Sequence, residues 1–260
     1  ACESAQLPAG VVNVVTGKSA QISEQLLRSP IIRKISLTGS VDVGKQVLHQ
    51  AADQIKSITM ELGGHSPVLV FEDADVEEAA ATCAKGKFRN NGQVCIAASR
   101  FFVHESVVDR FTKTFVETAK AMRLGNGREE GVEIGPLANE RRLVATESLV
   151  ADAVSKGAAV ACGGRRPDGH KNGYYYEPTV LTNVDDSMKL MHEEPFAPIA
   201  PITTFNDMEN VLQQANDTEL GLAGYIFTQN TKTAFHASEG LEVGMVGVNH
   251  LVIASAEMPF

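Results

Sequence analysis

The apolar residues of this chain change period repeatedly, from short β-branched runs to the 3.6-residue spacing of helices. That switching leaves little room for anything but an α/β sheet with parallel strands. Val11-Val12-Asn13-Val14-Val15, closed by Thr16-Gly17, reads as a buried strand. Ser19 can cap a helix through Arg28, and Pro30 stops it. Residues 31–37 form the next strand. A helix over about 41–54 follows, with Val43, Val47, Leu48 and Ala51 on one face, and then a strand over 58–62. The order βαβαβ implies right-handed crossovers between parallel strands.

Gly63-Gly64 breaks the pattern, so a domain boundary is expected there, with residues 1–62 in one domain and 63–260 in the other. Beyond it, strands are expected over 67–71, 100–104, 158–161, 199–205, 223–228 and 245–249, with an unassigned stretch over 174–184. Helices are expected over 76–90, 107–122, 139–156, 208–215 and 231–239. This is a second α/β unit.

Composition removes several function classes. The longest apolar runs fall far short of the ~20 residues that span a bilayer. A net charge of -9 repels a phosphate backbone, so no nucleic acid is expected as a partner. The basic cluster Arg165-Arg166 with His170 and Lys171 sits among Gly, Pro and Asp and reads as a solvated loop. Four cysteines without a CxxC pair imply neither a disulfide framework nor a zinc site, and so a reducing, cytoplasmic setting. The N-terminus shows no signal-peptide pattern and no initiator Met, as expected of a processed product or a piece of something longer.

Four segments can carry chemistry. Thr38-Gly39-Ser40, followed by Gly44, joins a strand to a helix, where free backbone N–H groups bind anions. A plain N-capped helix with Gly44 for close packing explains it equally well. Glu61, in an apolar strand before Leu62-Gly63-Gly64, is either a general base or an exposed strand-end carboxylate. Cys95 follows Asn90-Asn91-Gly92-Gln93-Val94 just past a helix end, as an accessible nucleophile or as packing. Cys83, among alanines, reads as packing, and Cys2 and Cys162 have no supporting context. His192-Glu193-Glu194-Pro195-Phe196-Ala197-Pro198 is a rigid loop whose carboxylates can bind sugar hydroxyls or simply face water.

Taken together, Pro8-Ala9-Gly10-Val11-Val12-Asn13-Val14-Val15-Thr16-Gly17, the Thr-Gly-Ser turn, Glu61-Leu62-Gly63-Gly64, Gly92-Gln93-Val94-Cys95 and Glu194-Pro195-Phe196 closely resemble the NAD(P)-dependent aldehyde dehydrogenase superfamily. The resemblance covers essentially the whole chain. It implies a partial Rossmann-type cofactor domain followed by an α/β catalytic domain. It also implies Cys95 as nucleophile, Glu61 as general base, and Thr38, Gly39, Ser40, Gly44, Leu62, Glu194 and Phe196 at an NAD or NADP cofactor. Family members are nearly twice this length, so the resemblance implies a central portion of a homodimeric or homotetrameric enzyme, inert by itself. The family's oxyanion-hole Asn, adenine-ribose Lys and dimer-forming hairpin fall outside it.

Within the family, Lys87-Phe88-Arg89-Asn90 and the stretch 241–249 resemble the succinate-semialdehyde dehydrogenases. Their substrate-binding Arg matches Arg89. Their substrate-binding Ser falls at Ala254, with Ser255 one step along as the candidate. The substrate implied is succinate semialdehyde or a related ω-oxo acid, with 2-oxoglutarate semialdehyde as the close rival. A CoA-acylating relative is disfavoured because Glu61 is present. A non-catalytic relative is disfavoured because both Cys95 and Glu61 are.

Overall fold

The computed structural model describes residues 1–170 and 172–257. Lys171 and the C-terminal Met258-Pro259-Phe260 lie outside the described residues. The chain divides into two compact units, Ala1–Gly63 and Gly64–Phe260.

The first unit holds α1 (Ser19–Arg28), β1 (Lys34–Thr38), α2 (Val41–Ala52) and β2 (Ser57–Glu61). β1 and β2 pair in parallel with Lys34 opposite Ser57 and Thr38 opposite Glu61, and α2 is the crossover. Its small core is Leu27, Val47 and Ala51, with Ile35, Leu37, Ile58 and Met60 packed against it. Val43 and Leu48, expected on the buried face of α2, are exposed.

The expected strand at residues 11–15 is a correction. The segment has no regular secondary structure, and Val14 is 86% exposed. β-branching favours extended backbone, but a strand needs an edge to pair with. Among the described residues this unit's sheet contains β1 and β2 alone.

The second unit contains β3 (Pro67–Val70), α3 (Val76–Phe88), β4 (Arg100–His104), α4 (Val108–Ala121), α5 (Glu140–Ser155), β5 (Ala159–Cys162), β6 (Thr179–Thr182), β7 (Ile199–Phe205), α6 (Met208–Asn216), β8 (Ala223–Phe227), α7 (Thr231–Gly240) and β9 (Met245–Val248). They build a seven-stranded sheet of order β5-β6-β7-β4-β3-β8-β9. Every neighbouring pair is parallel except β5 with β6. Successive side chains point to opposite faces. Val68, Val70, Phe101 and Val103 therefore meet α3 and α4 on one side, through Phe88, Phe111 and Phe115. Leu69 and Phe102 meet α5, α6 and α7 on the other, through Leu149, Val211 and Ala237. Burial on both faces explains the near-continuous apolar runs at β3, β4 and β8. Among the described residues no helix is long and apolar enough to cross a membrane.

Candidate active site

In the first unit, four of the expected residues meet at the carboxyl ends of the parallel pair. Thr38 faces Glu61 across the ladder, and the Gly39 N–H donates to the Glu61 carbonyl at 3.0 Å. Ser40 caps α2, its Oγ accepting from the Val43 N–H at 3.4 Å. A helix N-terminus at that end of a parallel sheet is where phosphates bind, so these residues fit the pyrophosphate of a nicotinamide dinucleotide. Asp42 in the same turn works against a second anion there.

Gly44 packs against Leu62, another of the expected residues. It is buried, and a Cβ placed on it would stand 2.9 Å from Leu62 Cδ2. Its missing side chain lets α2 lie close to the end of β2. Gly44 and Leu62 therefore act on each other, through packing.

In the second unit, α3 ends at Phe88, two residues before its expected limit. The reason is backbone: Asn90, Asn91 and Gly92 have φ of 51°, 57° and 66°. Asn and Gly tolerate this left-handed region best. Asn91 is buried and donates to the Gly135 carbonyl at 2.8 Å. A side chain on Gly92 would run into the Ala197 carbonyl. Gln93 Oε1 accepts from the Ala138 N–H at 3.0 Å, and the Ala97 N–H donates to the Val94 carbonyl at 2.9 Å. Gly92, Gln93 and Val94 thus help hold a turn that leaves the Cys95 thiol free and half-buried.

Tyr225 on β8, which sequence reasoning missed, locks this turn from the sheet. Its hydroxyl donates to the Ile96 carbonyl at 2.6 Å. Its phenol is pushed up, chiefly by burial and then by the thiolate form of Cys95.

Glu194 is half-buried and accepts the Gly64 N–H at 3.2 Å. Burial pushes its carboxyl up, against the Gly64 N–H and the charges of Arg142 and Lys87. Arg142 donates to the Pro195 carbonyl at 3.1 Å and lies over the Phe196 ring, 5.5 Å from its centroid. Phe196 is held at φ 42°, a conformation that costs energy in a bulky residue and needs such support. His192 and Glu193 of the same loop face water.

Behind the turn lies a polar layer that local patterns did not reveal. His65 is buried, with Nδ1 at 3.0 Å from Ser99 Oγ. Arg100, also buried, donates to the His65 carbonyl from Nε and Nη2, and to the Ala215 carbonyl at 2.7 Å. Burial, then Arg100 and Lys87, push His65 down to about 3, so it stays neutral in the fold.

A cleft of about 330 Å³ adjoins the Cys95 turn, lined among others by Arg89, Val94, Ile96, Tyr225 and His250. Arg89 is exposed, and no carboxylate pairs with it within 4.0 Å among the described residues. That argues against a structural ion pair. Ser255 is exposed, is hydrogen-bonded to Glu257 and is not among the residues lining this cleft. Cys83 is fully buried on α3, as expected of packing. Arg166 pairs with Glu147 at 2.7 Å in the basic loop.

The whole chain, residues 1–260, matches the model of the aldehyde dehydrogenase family. It is 41% identical over 256 residues to the succinate-semialdehyde dehydrogenase [NADP(+)] GabD of Escherichia coli K12, covering 98% of this chain and 53% of that protein. It is 44% identical over 259 residues to the 3-sulfolactaldehyde dehydrogenase of Pseudomonas putida, covering 99% and 53%. The crystal structure of succinate-semialdehyde dehydrogenase from Burkholderia pseudomallei superposes with a TM-score of 0.96 at 41% identity, covering 99% and 53%. The chain spans about half the length of the curated relatives it matches. Both the arrangement around Cys95 and these likenesses lead to one statement: the chain belongs to the aldehyde dehydrogenase family.

Proposed function

We propose that this chain is the nucleophile-bearing part of an NAD(P)-dependent dehydrogenase that oxidises an aldehyde with a carboxylate at its far end, succinate semialdehyde or a close ω-oxo acid, to the dicarboxylic acid. In this reading Cys95 Sγ attacks the aldehyde carbon, and the oxygen that gains charge is met by backbone N–H groups of the turn. The bound nicotinamide supplies the hydride acceptor. Glu61 takes a proton from the water that frees the acid from its thioester with Cys95, and residues 1–62 serve as part of the cofactor domain. Thr38, Gly39 and Ser40 hold the dinucleotide at its phosphates. Glu194, steadied by Gly64, and Phe196, steadied by Arg142, hold it at the nicotinamide end.

The observation that carries the substrate class is Arg89, a guanidinium without a carboxylate partner within 4.0 Å among the described residues, on a cleft beside the nucleophile. A guanidinium grips a carboxylate in two parallel hydrogen bonds, and a neutral aldehyde offers it nothing comparable. The names of the relatives agree, since succinate semialdehyde and 3-sulfolactaldehyde each end in an anion. The reading includes a homodimeric or homotetrameric full-length enzyme in the cytoplasm, supported by the family likeness and by unpaired cysteines.

The test is a full-length dehydrogenase in which this chain replaces the matching segment of a relative. Formation of reduced cofactor is followed with succinate semialdehyde, its longer homologues, a sulfonated aldehyde and neutral aldehydes of equal length. Arg89→Ala should lower the ratio of kcat/KM for anionic over neutral substrates by roughly one to two powers of ten, the worth of a charge-assisted hydrogen bond. Equal losses on both would make Arg89 structural and end the ω-oxo acid reading. Failure to oxidise any aldehyde would end the whole proposal.

A further inference from the structure

Lys87 has no part in the chemistry above, yet it is wholly buried at the end of α3. An ammonium in that position needs a partner of opposite charge. Glu194 lines the same seam and, though no carboxylate closes to within 4.0 Å of Lys87 among the described residues, its charge supports the protonated form of Lys87 against burial. The Lys87 Nζ stands 3.1 Å from the point a Cβ on Gly92 would occupy, so the missing side chain of Gly92 makes room for it. Glu194 accepts the Gly64 N–H. Gly64 in turn lies against the Cys95 carbonyl, 2.6 Å from its own absent Cβ. Lys87, Gly92, Val94, Gly64 and Glu194 line a seam with no room for a water molecule.

We propose that Lys87 is a positioning residue: it seats the Glu194 carboxylate on the Gly64 N–H and so braces, from its Gly92 end and its Cys95 end together, the turn that carries the nucleophile. The part Cys95 plays rests on the dehydrogenase reading, whereas the brace itself does not. Three groups face the pair. His65, from the loop before β3, feels the Lys87 charge and stays neutral. Arg142, from α5, acts on Glu194. The Gly64 N–H completes the set. Burial holds Lys87 down to about 7 and pushes the Glu194 carboxyl up, so the brace carries both charges only between those two titrations and slackens as the pH rises past neutrality.

The experiment uses the 260-residue chain with carbon-13 in its glutamate carboxyls and lysine ε-carbons. NMR follows the Glu194 and Lys87 titrations, assigned by substitution. In parallel, iodoacetamide alkylation of Cys95 at fixed pH is read from the mass of its peptide. Lys87→Met should raise the Glu194 midpoint by about one unit, a tenfold change in proton affinity. Glu194→Gln should lower the Lys87 midpoint by about the same amount, because the coupling is reciprocal. Both variants should quicken Cys95 alkylation roughly threefold as the turn loosens. Unmoved midpoints would overturn the pair. Moved midpoints with an unchanged Cys95 rate would overturn the brace. Were Lys87→Met not to fold, Glu194→Gln carries both readouts. No step uses cofactor or aldehyde, so failure here leaves the dehydrogenase reading standing, and failure of that reading leaves these outcomes unchanged.

Discussion

Gly64 and Cys95 meet backbone to backbone: the Cys95 carbonyl oxygen lies 2.6 Å from where a Cβ on Gly64 would be. The second glycine of Glu61-Leu62-Gly63-Gly64 is thus required by the loop that ends in the candidate nucleophile, thirty-one positions on in the chain. The two signatures are halves of one contact.

Gly64→Ala should test that contact directly. The new methyl would also stand 3.1 Å from Leu222 Cβ, so neither side yields without a backbone shift. Overpacking of this kind costs about 1–3 kcal/mol. Thermal unfolding by circular dichroism should show a lowered Tm, and the full-length hybrid enzyme should lose kcat. An unchanged Tm would mean the turn has slack.

His65 should make the second unit acid-sensitive. Its folded value is about 3, against 6.5 as a free side chain. Between these two values the unfolded chain binds a proton that the folded chain refuses, so stability falls as the pH falls below 6.5. The slope is about 1.4 kcal/mol for each pH unit. Urea unfolding at pH 6.5 and 5 should show that loss in the parent and not in His65→Gln. The same slope in both would place the sensitivity elsewhere.

Cys95→Ala in the full-length hybrid should abolish aldehyde oxidation and leave cofactor binding nearly unchanged. A residual rate above ~1% of the parent's is incompatible with a covalent step at this residue.

Glu61→Gln keeps the shape of the side chain and removes its ability to take a proton. A rapid burst of reduced cofactor followed by a slow steady rate is the expected pattern in a stopped-flow trace. Equal slowing of both phases would assign Glu61 to positioning instead.

Much of this molecule is written locally. The alternation of periods is enough to read α1, α2 and, apart from β6, the strands from β3 to β9, because a helix or a doubly buried strand stamps its own period on a short stretch. Asn90-Asn91-Gly92 likewise announces a turn, since few residues sit easily at positive φ. Gly92-Gln93-Val94-Cys95 is legible as a turn for the same reason, its glycine and glutamine answering steric and hydrogen-bonding needs of that turn, whereas Cys95 as candidate nucleophile comes from the resemblance to the family.

Other features belong to packing between distant parts of the chain. Residues 11–15 have the composition of a strand and no edge to join, so they are exposed. Ala159–Cys162 has a strand's composition too, but its antiparallel direction depends on β6 beside it. Tyr225 reaches Ile96 across 129 positions, and Glu194 reaches Gly64 across 130. No local period encodes such partners. Lys87 shows the difference most plainly. In the sequence it is one more basic residue at a helix end, while in the fold it is buried and balanced by Glu194, because the water that would solvate its charge has been packed out.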